Sequence, residues 1–151
     1  MSQEIERKFL LDRLPPDFEQ TPSALIEQGY LAVEPHGAQV RLRKKGDDFI
    51  LTFKRGRGCV REEHEISLMP GQFHALWPLT AGRRLVKRRH EIPYSGRTIE
   101  IDIYAGSNTG LVVAEVEFES EQAARDFVPP EWFGEDISDR PEYSNTNLAR
   151  E

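Results

Sequence analysis

Apolar and charged residues alternate with period two in short stretches along the whole chain, as in a β-strand with two unlike faces. In Glu4-Ile5-Glu6-Arg7-Lys8-Phe9, residues 4, 6 and 8 share one face while Ile5 and Phe9 share the other. Val40-Arg41-Leu42-Arg43 sets two arginines against Val40 and Leu42. Gly46-Asp47-Asp48 then turns the chain into a returning strand, Ile50 to Lys54, with Lys54 in phase with Thr52. Arg61, Glu63 and Glu65 alternate with Glu62, His64 and Ile66; Leu85, Lys87 and Arg89 alternate with Val86, Arg88 and His90. After a hairpin turn at 93–96, Glu100 and Asp102 alternate with Ile99, Ile101 and Ile103, and Glu115 and Glu117 with Ala114, Val116 and Phe118. With a less regular candidate at 28–33, the pattern predicts about eight strands, antiparallel because several connections are hairpin-short. Helical spacing is confined to 71–79 and 120–127, the second capped by Ser120 and stopped by Pro129-Pro130. Residues 15–25 hold a further short helix or a loop. The class is α+β, rich in β, in one domain over 1–151.

A sheet with one face in water and one on a core explains most such alternation. Two features argue for something else. Like charges recur at i and i+2 on one face, where neighbours are about 6.5–7 Å apart and repel unless an opposite charge lies between. These faces also carry few of the Ser, Thr and Gln residues that a solvated face mixes with its charges. The alternative is a closed barrel with the charged faces inward, since eight strands leave room for side chains or one small ligand. Clustered carboxylates suit hard divalent cations such as Mg²⁺ or Mn²⁺, and clustered Arg and Lys suit phosphoryl oxygens. Periodicity alone does not choose between lumen and solvent face.

Glu4-Ile5-Glu6-Arg7-Lys8 is a Glu-x-Glu-x-Lys signature. It is followed in order by Arg41/Arg43, Lys54, Glu63/Glu65, Lys87/Arg89, Glu100/Asp102, Glu115/Glu117 and the ending Arg140-Pro141-Glu142-Tyr143-Ser144-Asn145. This ordered set, from Glu4 to Leu148, resembles the CYTH superfamily, named for class IV adenylate cyclase and thiamine triphosphatase and also called triphosphate tunnel metalloenzymes. The chain is most similar to the short bacterial members. The resemblance implies an eight-stranded antiparallel closed barrel with a few short flanking helices. It also implies a triphosphate in the lumen and a reaction that depends on Mg²⁺ or Mn²⁺. On that basis Glu4, Glu6, Asp102, Glu115 and Glu117 are expected at the metal. Lys8, Arg41, Arg43, Lys54, Lys87 and Arg89 are expected at the phosphates. Glu63 and Glu65 are expected at a second metal or the attacking water, and count with Lys8 and Arg89 as catalytic. Arg61 shares a face with Glu63, in the lumen or as a structural partner.

The expected activity is hydrolysis of inorganic triphosphate to pyrophosphate and phosphate. Thiamine triphosphatase, nucleoside triphosphatase and class IV adenylate cyclase stand behind it, because the chain has little insertion to build a base or thiazolium pocket. A non-catalytic polyphosphate- or nucleotide-binding module is disfavoured because carboxylates and cations are both kept.

Composition narrows the partners. Net charge is −6 over 151 residues with a pI near 5.3, against the basic footprint of a nucleic-acid binder. The basic run at 83–89 splits by period two into a strand. No run of about 18 apolar residues offers a membrane span, and no leader is visible at residues 1–4, so a cytoplasmic location is expected. Cys59 is the single cysteine, which excludes an internal disulfide and a cysteine metal site. His36, His64, His74 and His90 lack ligand spacing, and Trp77 and Trp132 are read as packing. If the charged faces point inward, Ile99, Ile101, Ile103, Val116 and Phe118 point outward. The segments at 71–79 and 120–127 are expected to cover part of them and a homodimer the rest.

Overall fold

Turns that tolerate a left-handed backbone fold consecutive strands back on one another. Between Tyr94 and Arg97, Ser95 and Gly96 take φ of 48° and 76°, the mirror-image turn whose twist matches that of its flanking strands. The computed structural model describes residues 2–151. It has strands β1 (Ser2–Leu11), β2 (Ser23–Val33), β3 (Gln39–Lys45), β4 (Asp48–Arg55) and β5 (Val60–Ser67). Then come β6 (Arg84–Tyr94), β7 (Arg97–Tyr104), β8 (Val112–Glu117) and β9 (Phe133–Asp136). Their order is β5-β4-β3-β2-β6-β7-β8-β1-β9, and pairing of β5 with β1 closes the ring. β1 makes that closure by dividing its edges. Ser2–Ile5 pair with Val60–Glu63, Glu6–Leu10 pair with Val113–Glu117, and β9 takes the stretch near Phe9 and Leu11 that β5 leaves free. The result is the expected eight-stranded antiparallel barrel, with one extra strand and three short helices, α1 (Pro70–Leu76), α2 (Glu121–Asp126) and α3 (Asn145–Leu148). No described helix is long and apolar enough to cross a membrane.

Period two then sorts the side chains. Ile99, Ile101, Ala114 and Val116 face outward, and all are buried. Phe118, Ala124 of α2, Phe127, Trp132 and Phe133 cover them. The Ser120 hydroxyl caps α2 by accepting from the Ala123 N–H at 3.0 Å. The chain thus covers its own isoleucine face, which removes the ground on which a second subunit was expected.

The segment at 71–79 lies elsewhere than expected. α1 and the 3₁₀ turn Trp77–Thr80 cover the outer side of β2 to β4, with the Phe73 ring 4.7 Å from that of Phe49. Gly29 lets this segment approach, since a Cβ there would lie 2.6 Å from Cβ of the buried Thr80. Gly29→Ala should cost about 1–3 kcal/mol through overpacking. At this chain length that lowers Tm by roughly 2–12 °C by calorimetry. A wild-type Tm would show that Thr80 moves aside freely.

Inside the barrel, Tyr30, Leu85, Tyr104 and Val113 pack with Ile137 and Leu148 from the C-terminal segment. They fill one end and leave the remainder of the lumen to charge. β9 and α3 lie outside the sequence-based expectation because each has four residues, too few to show a period. Residues 15–25 hold one 3₁₀ turn, Phe18–Gln20, and then the start of β2.

Candidate active site

The inward charged faces line a cavity of about 760 Å³. Among the described residues nine acidic and nine basic side chains line it, so the lumen is formally neutral before any ligand enters. Strand register sets much of this balance by placing opposite charges across from one another. Glu4 of β1 stands opposite Arg61 of β5, Lys54 of β4 opposite Glu63, and Lys8 opposite Glu115 of β8. Lys54 Nζ lies 3.0 Å from Glu4 Oε1 and 3.4 Å from Glu63 Oε2. Arg61 Nη2 donates to Glu6 Oε1 at 2.9 Å and reaches Glu4 Oε1 at 3.4 Å. Lys8 Nζ donates to the Tyr143 carbonyl at 2.6 Å, which ties the C-terminal segment to the lumen wall. Arg41 donates to Thr52 Oγ1 at 3.2 Å and Arg43 to Gln28 Oε1 at 3.0 Å, so each guanidinium is anchored at one edge.

Glu4, Glu6, Lys8, Arg41, Arg43, Lys54, Glu63, Glu65, Arg89, Glu115 and Glu117 are thus brought together around one cavity, as is Arg61. Asp102 and Lys87 are not. Both have fully buried side chains, their charged atoms 2.7 Å apart, and neither lines the cavity. Alternation fixes which way a side chain points but not its depth along the barrel. Lys87 lies beside Tyr104, where the apolar end begins, and is sealed there. Asp102 grips Arg89 from behind, through Nε at 2.7 Å and Nη2 at 2.8 Å, while Arg89 also reaches Glu100 at 3.0 Å and Glu115 at 3.2 Å. Burial opposes the Asp102 charge, yet Lys87 and Arg89 hold its carboxyl well below the usual range. Burial likewise opposes the Glu115 charge, but Arg89 and Lys87 bring its pKa down to about 2.

Glu6 and Glu117 behave oppositely. They face each other across the β1–β8 ladder, like against like. Burial, with Glu115 and Glu4 nearby, pushes Glu6 up to about 7, and burial followed by Glu4 pushes Glu117 up. The donor set suits a hard divalent cation, because it is all carboxylate oxygen, with Glu6 and Glu117 set like against like. Among the described residues no three of these carboxylates converge on one point, because Lys54 and Arg61 stand between them. The raised Glu6 pKa has a consequence in metal-free buffer. The folded chain keeps up to about pH 7 a proton that the unfolded chain releases near 4.5, so stability falls as pH rises through that window. Glu6→Gln should therefore raise Tm at pH 8 and leave it nearly unchanged at pH 4. An equal effect at both values would show that ionised Glu6 carries no burden.

Several groups in or behind the cavity wall lay outside the sequence-based site. Gln28 and Thr52, both fully buried behind it, orient Arg43 and Arg41. The phase of each on its strand was the available signal. Glu100 fitted the alternation without a role; it lines the cavity and holds Arg89. The main-chain contact of Tyr143 with Lys8 left no signal in residue type. His64 and His90 are outside the lumen, His90 packing on Phe18 and His64 bonding Glu62.

A sequence profile of the CYTH domain matches residues 2–150. An inorganic triphosphatase of Nitrosomonas europaea is 40% identical over 148 residues, covering 97% of this chain and 96% of the relative. An inorganic triphosphatase of Acetivibrio thermocellus is 30% identical, covering 99% and 95%. A crystal structure of an inorganic triphosphatase matches with a TM-score of 0.72 and 39% identity, covering 99% of this chain and 95% of the other.

Proposed function

The chain belongs to the CYTH family, and we propose that it is an inorganic triphosphatase, splitting tripolyphosphate into pyrophosphate and phosphate with Mg²⁺ or Mn²⁺. One observation carries the reading. Lys8, Arg41, Arg43, Lys54 and Arg89, from four strands, enter one lumen between carboxylates, in a chain similar over nearly its full length to relatives named for this activity.

In this reading the cations bind and align the phosphate chain. Arg41 and Arg43, each anchored at one edge, turn their remaining N–H groups to phosphoryl oxygens. Arg89 is pinned by Asp102, Glu100 and Glu115 and presents its remaining Nη1 N–H without moving. Asp102 and Lys87 act through Arg89 as positioning residues. Glu4, Glu6, Glu115 and Glu117 would hold the divalent cation, which when bound neutralises charge developing on the phosphoryl group and on the leaving pyrophosphate. Glu65 accepts from Thr52 Oγ1 at 3.1 Å and, with Glu63, orients the attacking water. We place the activity in the cytoplasm, where the free thiol of Cys59 stays reduced.

Phosphate release from tripolyphosphate, ATP, thiamine triphosphate and pyrophosphate, each with Mg²⁺ or Mn²⁺, tests the substrate. The expected order in kcat/KM is tripolyphosphate, then nucleoside triphosphates, then pyrophosphate. Pyrophosphate should lie at least about 10-fold below tripolyphosphate, because it forgoes the binding of a remote phosphate that positions the reacting one. Formation of cyclic AMP from ATP, or a preference for thiamine triphosphate, would overturn the assignment.

A further inference from the structure

Arg61 has no part in the scheme above, yet it is the residue that touches both acids of the first strand. Register places it directly opposite Glu4, so the contact is built by pairing of β1 with β5. Its Nη2 bonds Glu6 at 2.9 Å and Glu4 at 3.4 Å, and its side chain is 21% exposed, at the cavity wall. Its buried Nε has no hydrogen-bond partner among the described residues, so nothing anchors the fork at its other edge. Glu4 and Glu6 are same-face neighbours about 6.5–7 Å apart. A divalent ion shared by them would have to sit where the guanidinium now lies.

We propose that Arg61 is a placeholder for the divalent cation: without substrate its guanidinium occupies the place between Glu4 and Glu6, and it withdraws before the pair takes metal. The inference rests on the metal-assisted reading of the site. A divalent ion and a guanidinium side by side repel strongly in a partly desolvated lumen. Metal alone must therefore displace Arg61 and binds weakly. A triphosphate changes the balance, because its oxygens accept the planar fork of Arg61 while its charge draws in the metal. Metal and triphosphate then bind cooperatively, each raising the affinity of the other by the same factor. With Lys54 at Glu4, Arg61 also balances the two carboxylates when the lumen holds no ligand.

Mn²⁺ binding to the purified protein, followed by electron paramagnetic resonance, tests this without turnover. In the absence of triphosphate, Arg61→Gln should bind Mn²⁺ about 10-fold more tightly than wild type. Arg43→Gln, which removes the same charge from the same cavity away from Glu4 and Glu6, should change the affinity by less than about 3-fold. A non-hydrolysable triphosphate analogue should tighten Mn²⁺ binding more in wild type than in Arg61→Gln. Should Arg61→Gln not fold, Arg61→Met keeps the apolar stem and carries the same expectation. Unchanged or weaker Mn²⁺ binding in the Arg61 variant, or equal tightening in Arg43→Gln, would overturn the inference alone. Failure of wild type to bind Mn²⁺ even with the analogue would overturn the metal-assisted reading with it.

Discussion

Excess chelator should lower tripolyphosphate hydrolysis by about 10³-fold or more, and Mg²⁺ or Mn²⁺ should restore it. The size follows from the several kcal/mol that a bound cation contributes to the charge of a phosphoryl-transfer transition state, each 1.36 kcal/mol being about tenfold in rate. It also follows from the lumen itself. Nine acidic side chains balance nine basic ones, so a triphosphate entering alone brings negative charge that the protein has nothing left to offset. Glu6 and Glu117, already pushed up by burial and neighbouring carboxylates, are where that excess falls. Phosphate release measured with chelator, then with metal added back, decides the matter. Full activity in chelator would mean that the basic side chains suffice.

Asp102→Ala should destabilise the barrel strongly. It leaves the fully buried Lys87 ammonium without its partner at 2.7 Å and takes from Arg89 the carboxylate that holds it at two points. Removing one member of a buried pair typically costs about 3–5 kcal/mol, because the remaining charge stays desolvated. For a chain of this length that is a fall in Tm of roughly 6–20 °C. Asp102→Asn should fall nearly as far, since charge and not volume is lost. Adding Lys87→Met to Asp102→Ala should recover part of the loss by removing the stranded ammonium. Thermal melts of the three variants read this, and an Asp102→Ala protein melting within 2 °C of wild type would show that water reaches the pair.

The contrast between these two sites shows what alternation encodes. Seven of the eight barrel strands were legible, because a strand with one face charged and one apolar has only two ways to turn; β2 lacks that contrast, and its first half, Ser23–Glu27, was not read as strand. Glu4, Glu6 and Lys8 on one strand and Glu115 and Glu117 on another had to share a side, and closure of the barrel made that side the inside. Depth along the axis was not legible. Lys87 and Arg89 are in phase and chemically alike, yet one is sealed against Tyr104 and the other meets the cavity. Cross-strand partners were legible only as types. That Arg61 would oppose Glu4, rather than another carboxylate in phase, depends on a register between strands far apart in sequence. Cover for the isoleucine face came from Phe127, Trp132 and Phe133, in a stretch with no strong period and two prolines.

The divided edge of β1 also fixes an order of assembly. β1 leaves the ribosome before the other strands of the barrel, but its partners are Val60–Glu63, Val113–Glu117 and Phe133–Asp136. Its short ladder with β5 can form once residue 63 has emerged, but the longer one with β8 needs most of the chain, and closure waits on pairings of long sequence separation, which form slowly. Glu6 and Lys8 therefore reach their places late in folding, and a nascent chain stalled before β8 carries Arg41, Arg43 and Arg89 with no closed lumen around them. A growing chain in that state exposes the unsatisfied edge of β1 and a row of like charges, and it cannot turn over triphosphate before the barrel closes.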